Sequence, residues 1–405
     1  MQLNTLEQFE FTGKAKTWSL IAIAIGVISV AIGFATGHVD RTWANLLICA
    51  YYFTCVSFAG MMFIAIQYVA NAGWATSILR IPSAFTTVIP YAAVILFALI
   101  ATGLYTHNLY HHWNEEGITD PNSPHFDPII AGKSGYLNIP FFLIRLALYM
   151  FIWGGLAVYL RKLTLKEDLE GGMEYYNTSI KYSAVFCVIF GFTYPLFSFD
   201  MMLSVEAHWF STMFGWYNLA GLWVSGLAAI ALTVILLKEN GYMPWVNKSH
   251  IHNLGLFMFA FSTFWTYLWT AQFLLDWYAN IPEETYYFLK RWTPAYKFWF
   301  WFNLVINFLT PFLVLMSSDS KRNMKVVKIA AIIIILGHWL DYYLMVMPGS
   351  VTEAERGFNH IEIGTFVGFV GLFVFLMLKG LSKAPLLPKN HPYLEESLHH
   401  SINNI

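Results

Sequence analysis

Charge is what this sequence has least of. Only 12% of its 405 residues are Asp, Glu, Lys or Arg, while 57% are hydrophobic. A soluble domain carries about 25% charged residues. So little charge cannot clothe a chain of this size in water, and the composition is that of a polytopic membrane protein. The few charges nearly cancel, to a net −1, so there is no basic field for nucleic acid. Cysteine is almost missing as well. Cys49, Cys55 and Cys187 all lie in apolar stretches and none forms a CxxC, so this chain alone does not ligate an iron–sulfur cluster. Deep histidines are equally scarce. A membrane haem of the b type needs two axial histidines at one depth on facing helices. Only His338 is deep, while His208, His252 and His360 lie near span ends. His107 and His111 fall at a spacing that one helical face could share, with His112 adjacent, but no apolar enclosure or fourth ligand follows, so no metal site is read there. No stretch has the composition of a sizeable soluble domain.

What is present is a series of long apolar runs. A span needs about 20 apolar residues. Ten are read: 17–37, 43–70, 84–106, 138–161, 179–201, 210–237, 251–279, 295–317, 325–347 and 359–380. The first follows Lys14 and Lys16, and its core exceeds the roughly 7–15 apolar residues of a signal peptide, so a retained helix is expected. An even count places both termini on one side. Sixteen basic residues fall on that side, against seven (Arg41, Lys133, Arg145, Lys290, Arg291, Lys297 and Arg356) on the other. The positive-inside rule then puts both termini in the cytoplasm. Residues 73–83 and 162–178 read as short interfacial helices on the inner side, and the polar loop 107–138 faces outside. Many of the 16 Trp and 23 Tyr residues sit near predicted span ends, as an aromatic belt requires.

Ionisable groups inside hydrocarbon are costly and are functional candidates by default. His338 and Asp341 lie three residues apart in the ninth span, on one helical face. A second cluster, Asp200, Glu206 and His208, closes the fifth span and its connection to the sixth. A third pairs Gln272 with Asp276 at the end of the seventh, and Glu283 and Glu284 then open a short helix after Pro282. Carboxylates and histidines of this kind relay protons or accept those released by a quinol. The bland readings are helix caps and a buried pair that locks helices together. Arg145 and Lys297 read as side chains that snorkel to the outer interface, with pairing to Asp200 or Asp341 as the alternative. Tyr342 and Tyr343 are placed to lend hydroxyls to the Asp341 network, and Glu362 reads as a helix N-terminal carboxylate. Nearly all deep ionisable groups fall in the outer half, so the sequence supports at most an outward-facing half-channel. Spans 2–5 and 6–9 form a faint parallel repeat, with Asp200 and Asp341 closing the two halves.

Two runs, Ser198-Phe199-Asp200 through Ser204-Val205-Glu206-Ala207-His208-Trp209-Phe210-Ser211-Thr212-Met213-Phe214-Gly215 and Trp277-Tyr278-Ala279-Asn280-Ile281-Pro282-Glu283-Glu284-Thr285, resemble the F subunits of bacterial alternative complex III. These belong to the NrfD-like membrane subunits, related to the membrane subunit of polysulfide reductase. The resemblance extends over nearly the whole chain. It implies one integral membrane domain with two four-helix bundles (38–201 and 202–347) and peripheral first and last helices with their tails (1–37 and 348–405). It also implies a non-redox, multi-pass subunit of the bacterial inner membrane within a complex that oxidises quinol, menaquinol above all, and reduces cytochrome c. The implied partners are a paralogous C subunit that holds the quinol site, an iron–sulfur B subunit and multihaem cytochrome c subunits, with a terminal oxidase downstream. The residues it assigns to proton transfer are Asp200, Glu206, His208, Asp276, His338 and Asp341, with Asp276 the least supported. Three other functions stay open at this level: a quinol-binding subunit in its own right, a purely structural subunit, and a secondary transporter. The transporter reading is weakened because Pro195 and Pro311 lie near span ends rather than at a midplane break.

Overall fold

A computed structural model describes residues 8–352 and 355–402. Ten helices of 17 residues or more follow one another along them: α1 Gly13–Ala35, α2 Val39–Val69, α3 Ile89–Tyr105, α4 Ile139–Glu170, α5 Met173–Met201, α6 Met213–Glu239, α7 Lys248–Ala279, α8 Lys297–Val314, α9 Met324–Ser350 and α10 His360–Leu381. Nine are long and apolar enough to cross a membrane, and α3 is apolar but shorter, at 17 residues. The protein is an all-α, multi-pass membrane protein. In hydrocarbon every backbone N–H and C=O must be satisfied within the fold, and a helix does this inside one segment.

Short polar signals set the helix ends. Asn138 accepts from the Phe141 N–H at 3.0 Å, just ahead of Pro140. Asn247 forms a capping box with His250, and Asn359 forms one with Glu362. Pro282 opens the short helix Pro282–Arg291, with Glu283 and Glu284 in its first turn as expected. Within α8 the turn Val305–Leu309 widens to a π-helix. Pro311 brings no N–H to the ladder, and the Thr310 N–H reaches back five residues to the Val305 carbonyl.

Two expectations at the inner side need correction. Residues 73–83 are not one amphipathic helix with an exposed face. They form a 3₁₀ turn, Gly73–Ile78, and the start of a helix, Arg80–Phe85, both buried under the bundle. Arg80 draws them inward by pairing with Asp168 near the end of α4. Residues 162–178 are not a separate interfacial helix either. They continue α4 to Glu170, turn at Gly171 and Gly172 (φ 71° and 84°), and open α5. Leu163 and Glu167 are buried there, and the Tyr68 hydroxyl donates to Glu167 at 3.2 Å.

α2 is the central helix and packs against α3, α5, α6, α9 and α10. α1 instead packs mainly on α10, through small residues that let the backbones approach. A Cβ on Gly26 would collide with the Gly368 Cα, and Gly364 faces Ser29 in the same way. Outward-facing Phe151 and Phe192 are 80% and 75% exposed, which suits a lipid surround.

The first and last described segments meet at one end of the bundle. The Gln8 amide donates to the Ser382 carbonyl at 2.6 Å. The C-terminal segment then crosses the same end, where Ser397 Oγ donates to the Trp74 carbonyl at 2.7 Å and the Asn247 amide to the His400 carbonyl at 2.7 Å. The candidate site lies at the opposite end.

Candidate functional site

Asp200 is the penultimate residue of α5 and is fully buried. Arg145, two turns into α4, meets it with two parallel bonds: Nε to Oδ2 and Nη2 to Oδ1, both 2.9 Å. Nη1 donates to the Tyr136 carbonyl at 3.0 Å. The guanidinium lies 3.8 Å from the Tyr136 ring centre and 4.3 Å from that of Phe141. Arg145 therefore does not snorkel to the interface. A planar fork matched to a carboxylate, with aromatic faces beside it, outcompetes water. Lys297 stays exposed.

Glu206 lies in a 3₁₀ turn, Leu203–Glu206, and is buried beside Arg291. Arg291 Nη2 donates to Glu206 Oε1 at 2.8 Å and to the Met345 carbonyl at 2.9 Å, while Nε donates to the Leu344 carbonyl at 2.9 Å. Its guanidinium stacks 3.3 Å from the centre of the Tyr287 ring, whose other neighbour is Trp209 at 3.8 Å and 11°. Lys290 adds a second cation 3.4 Å from Glu206 Oε2. Glu206 thus ties the α5–α6 connection to the end of α9.

His208 lies apart from these groups. It is partly exposed, and its Nε2 meets Asp127 Oδ2 at 2.5 Å. Burial alone would raise the Asp127 carboxyl, but His208 and the N–H groups of Ile130 and Ile129 hold it below its ordinary value. His112 approaches His208 Nδ1 to Nδ1 at 3.4 Å, and burial followed by the Lys290 charge lowers its basicity. His107 and His111 do not share a helical face. His107 follows the end of α3 with φ 54°, and His111 opens a separate short helix.

Asp276 is 5% exposed rather than open to water. Gln272 donates to it at 3.0 Å and accepts a bond from Ser211. Glu362 is more than a cap, since Arg41 Nε meets it at 2.7 Å and Asn45 donates to it at 3.1 Å.

Asp341 lies deepest of the carboxylates, nine residues before the end of α9, or about 14 Å along the helix at roughly 1.5 Å per residue. Its Oδ1 accepts from the Tyr217 hydroxyl and from Asn303 at 2.8 Å, and Asn307 donates to Asn303 Oδ1 at 2.6 Å. The π turn of α8 begins between those two asparagines, at Val305. Such widened turns recur at functional sites. Asp341 Oδ2 has no hydrogen-bond partner among the described residues. The carboxyl faces a cavity of about 40 Å³, whose wall also holds Trp209, Gln272, Tyr287, Arg291 and Asn303.

The three-residue spacing does not join His338 to Asp341. His338 is fully buried, its ring sits edge-on to Trp265 at 5.2 Å, and neither nitrogen has a hydrogen-bond partner among the described residues. Nor do the tyrosines bond Asp341. Tyr343 donates to the Gly357 carbonyl at 2.8 Å, and Tyr342 packs on the rings of Tyr51 and Tyr52.

The six sequence-chosen residues therefore divide into four settings. Asp200 and Glu206 are each held by an arginine. Asp276 is held by a glutamine and Asp341 by neutral donors, with Gln272 and Asp341 both on the cavity wall. His208 belongs to the loop surface, and His338 is enclosed. Sequence reasoning missed Tyr217, Asn303 and Asn307. Asn303 and Asn307 were legible as polar residues four apart in an apolar run, the signal for a shared helical face. Arg291 gave no local sign that it turns inward. The sequence matches no protein-family model and no curated protein.

Proposed function

We propose that this chain is a ten-span, non-redox membrane subunit of a quinol-oxidising, cytochrome c-reducing complex in a bacterial inner membrane. In this reading α3 counts as the tenth span, α2–α5 and α6–α9 are the two bundles, and the termini are cytoplasmic. The partners follow from the resemblance at residues 198–215 and 277–285: a paralogous C subunit, an iron–sulfur B subunit, multihaem cytochrome c subunits and a downstream oxidase. Within the complex, Asp341 is the proton-handling group.

The observation that carries this assignment is the difference between the buried carboxylates. Asp200 and Glu206 are each locked to an arginine, and protonating either one breaks an ion pair. Asp341 is bonded by Tyr217 and Asn303. It can gain or lose a proton while both donors stay in place. The cavity beside it, about 40 Å³, accommodates about three water molecules at roughly 10–15 Å³ each. Water there, with Gln272 and Asp276 beyond it, gives a proton a route toward the outer surface. The same volume is well below the roughly 300–1,000 Å³ of small-ligand pockets, which favours quinol oxidation in a partner over a quinol site at Asp341. Asp200 and Glu206 then serve as struts that hold the outer ends of α4, α5 and α9.

The test is Asp341→Asn in the purified complex, reconstituted in vesicles. The complex assembles, and proton movement coupled to quinol oxidation falls by about tenfold or more, since a positioned acid–base group contributes about 10²–10⁴-fold. Unchanged turnover and proton release would support a purely structural subunit. Isolation of the chain without multihaem and iron–sulfur partners, together with solute transport, would refute the respiratory reading.

A further inference from the structure

The end of the bundle where the segments at Gln8 and Ser397 meet contains a second cavity, of about 570 Å³. Tyr52, Ala229, Leu232, Ile335, Phe373 and Met377 wall it, so it runs between α2, α6, α9 and α10. Its size lies within the roughly 300–1,000 Å³ range of ligand-enclosing pockets. Along α6 the lining runs from Asn240, just past the helix end, back to Ala229. Those eleven steps along the helix correspond to about 16 Å at roughly 1.5 Å per residue. The hydrocarbon core is about 30 Å thick, so the cavity is one leaflet deep.

Its polarity is graded. The deep part is apolar but for two hydroxyls, and both are already bonded: Tyr52 donates to the Ile335 carbonyl at 2.9 Å and Thr233 to the Ala229 carbonyl at 2.8 Å. The mouth carries Glu10, Thr12, Lys14, Asn240 and Tyr242. Phe9 sits edge-on to Tyr242 at 5.4 Å, and the Gln8 contact with Ser382 pins the same segment across the opening. Lys14 and Lys16 are exposed in the first turn of α1, where the headgroups of that leaflet would lie.

We infer that this cavity is a phospholipid site. One acyl chain of an anionic lipid enters between α2, α6, α9 and α10, and its phosphate meets the Lys14 ammonium. Thr12 and Asn240 bond the glycerol and ester oxygens. The cavity suits a lipid better than a quinone. A quinone needs free polar partners where its ring rests, and here the free polar groups sit at the mouth, while the two deep hydroxyls, of Tyr52 and Thr233, already donate to backbone carbonyls. The site is independent of Asp341, and binding there holds the N-terminal segment against the bundle.

The experiment compares the full chain with Leu232→Trp, which fills the cavity, and with Lys14→Gln, a change at an exposed position. Each protein is purified in mild detergent, exchanged into vesicles of phosphatidylglycerol or phosphatidylcholine, and examined by native mass spectrometry after delipidation. The expected result is one phospholipid retained per chain, lost in Leu232→Trp. The preference for phosphatidylglycerol should fall about fivefold in Lys14→Gln, the effect of one lysine at an anionic surface. Equal retention in all three proteins overturns the proposal, and so does a quinone rather than a phospholipid lost from Leu232→Trp. If Leu232→Trp fails to assemble, Lys14→Gln decides, with an unchanged lipid preference as the refuting result.

Discussion

Replacing Arg145 by Met removes one half of a buried ion pair held by two parallel hydrogen bonds. The partner, Asp200, has no solvent exposure, and the side-chain donors left to it are the neutral hydroxyls of Tyr149, at 3.4 Å, and Tyr136. Breaking a buried pair by removing one member costs about 3–5 kcal/mol, chiefly because the other charge is stranded. The reverse change, Asp200→Asn, is milder. Arg145 keeps the Tyr136 carbonyl at 3.0 Å and the aromatic faces of Tyr136 and Phe141. The loss there is that of charge-assisted hydrogen bonds, about 1.5–3 kcal/mol. The double variant strands neither charge and should cost less than the sum of the single changes by about 2 kcal/mol, within the range of coupling between contacting residues. The assay is unfolding in mixed detergent micelles of rising SDS content, followed by helical circular dichroism, for all four corners of the cycle. Additivity to within about 0.5 kcal/mol would refute the argument, because it would mean that Arg145 and Asp200 do not depend on each other. The same reasoning separates strut from proton carrier. The folded fraction of Asp200→Asn should turn over normally. Asp341→Asn should stay within about 1 kcal/mol of wild-type stability, the worth of a single neutral hydrogen bond, and lose coupled proton movement. An Asp200→Asn complex that folds but moves no protons would reverse these roles.

Two further outcomes follow from the packing. In the docked C-terminal segment, burial and then the Arg80 charge push His391 down to about 4, below its usual value near 6.5. The released segment therefore binds more protons between these values, so docking is strongest above about pH 6.5, weakens as pH falls toward 4, and levels off below it. Hydrogen exchange at residues 386–400 should be faster at about pH 5 than at about pH 7.5 once intrinsic exchange rates are divided out, and His391→Gln should flatten the difference; corrected exchange that slows on acidification would contradict it. At the α1–α10 crossing, Gly368→Ile places a branched side chain where a Cβ would lie 2.5 Å from the Gly26 Cα. It should destabilise α1 packing by about 1–3 kcal/mol, read as a lower SDS midpoint, and an unchanged midpoint would show that the close approach is dispensable.

Much of the architecture was legible in the sequence because hydrocarbon imposes one strong rule on the backbone. An apolar run of sufficient length must be a helix, so ten helical segments could be placed, with ends that shift by a few residues at caps such as Asn138 and Asn359. The exceptions have one cause. Local character reads residues 73–83 and 162–178 as interfacial, but the long-range pairing of Arg80 with Asp168 and of Tyr68 with Glu167 ties these stretches into the bundle. The site was legible only as a set of polar positions. Partner choice was not, because Asp200 and Asp341 look alike within their runs.

The sequence by itself determined the solvent, the helical class and the positions at which an ionisable group would have to be accommodated. Low charge, long apolar runs and helix caps are local properties, and the bilayer acts on each run separately. Tertiary structure alone decided which carboxylate is neutralised and which is left to neutral donors. That depends on which helices meet: α4 brings Arg145 to Asp200, the connection after α7 brings Arg291 to Glu206, and α6 and α8 bring only a hydroxyl and an amide to Asp341. A buried charge is governed by neighbours within a few ångströms, and those neighbours lie 38 to 124 residues away along the chain.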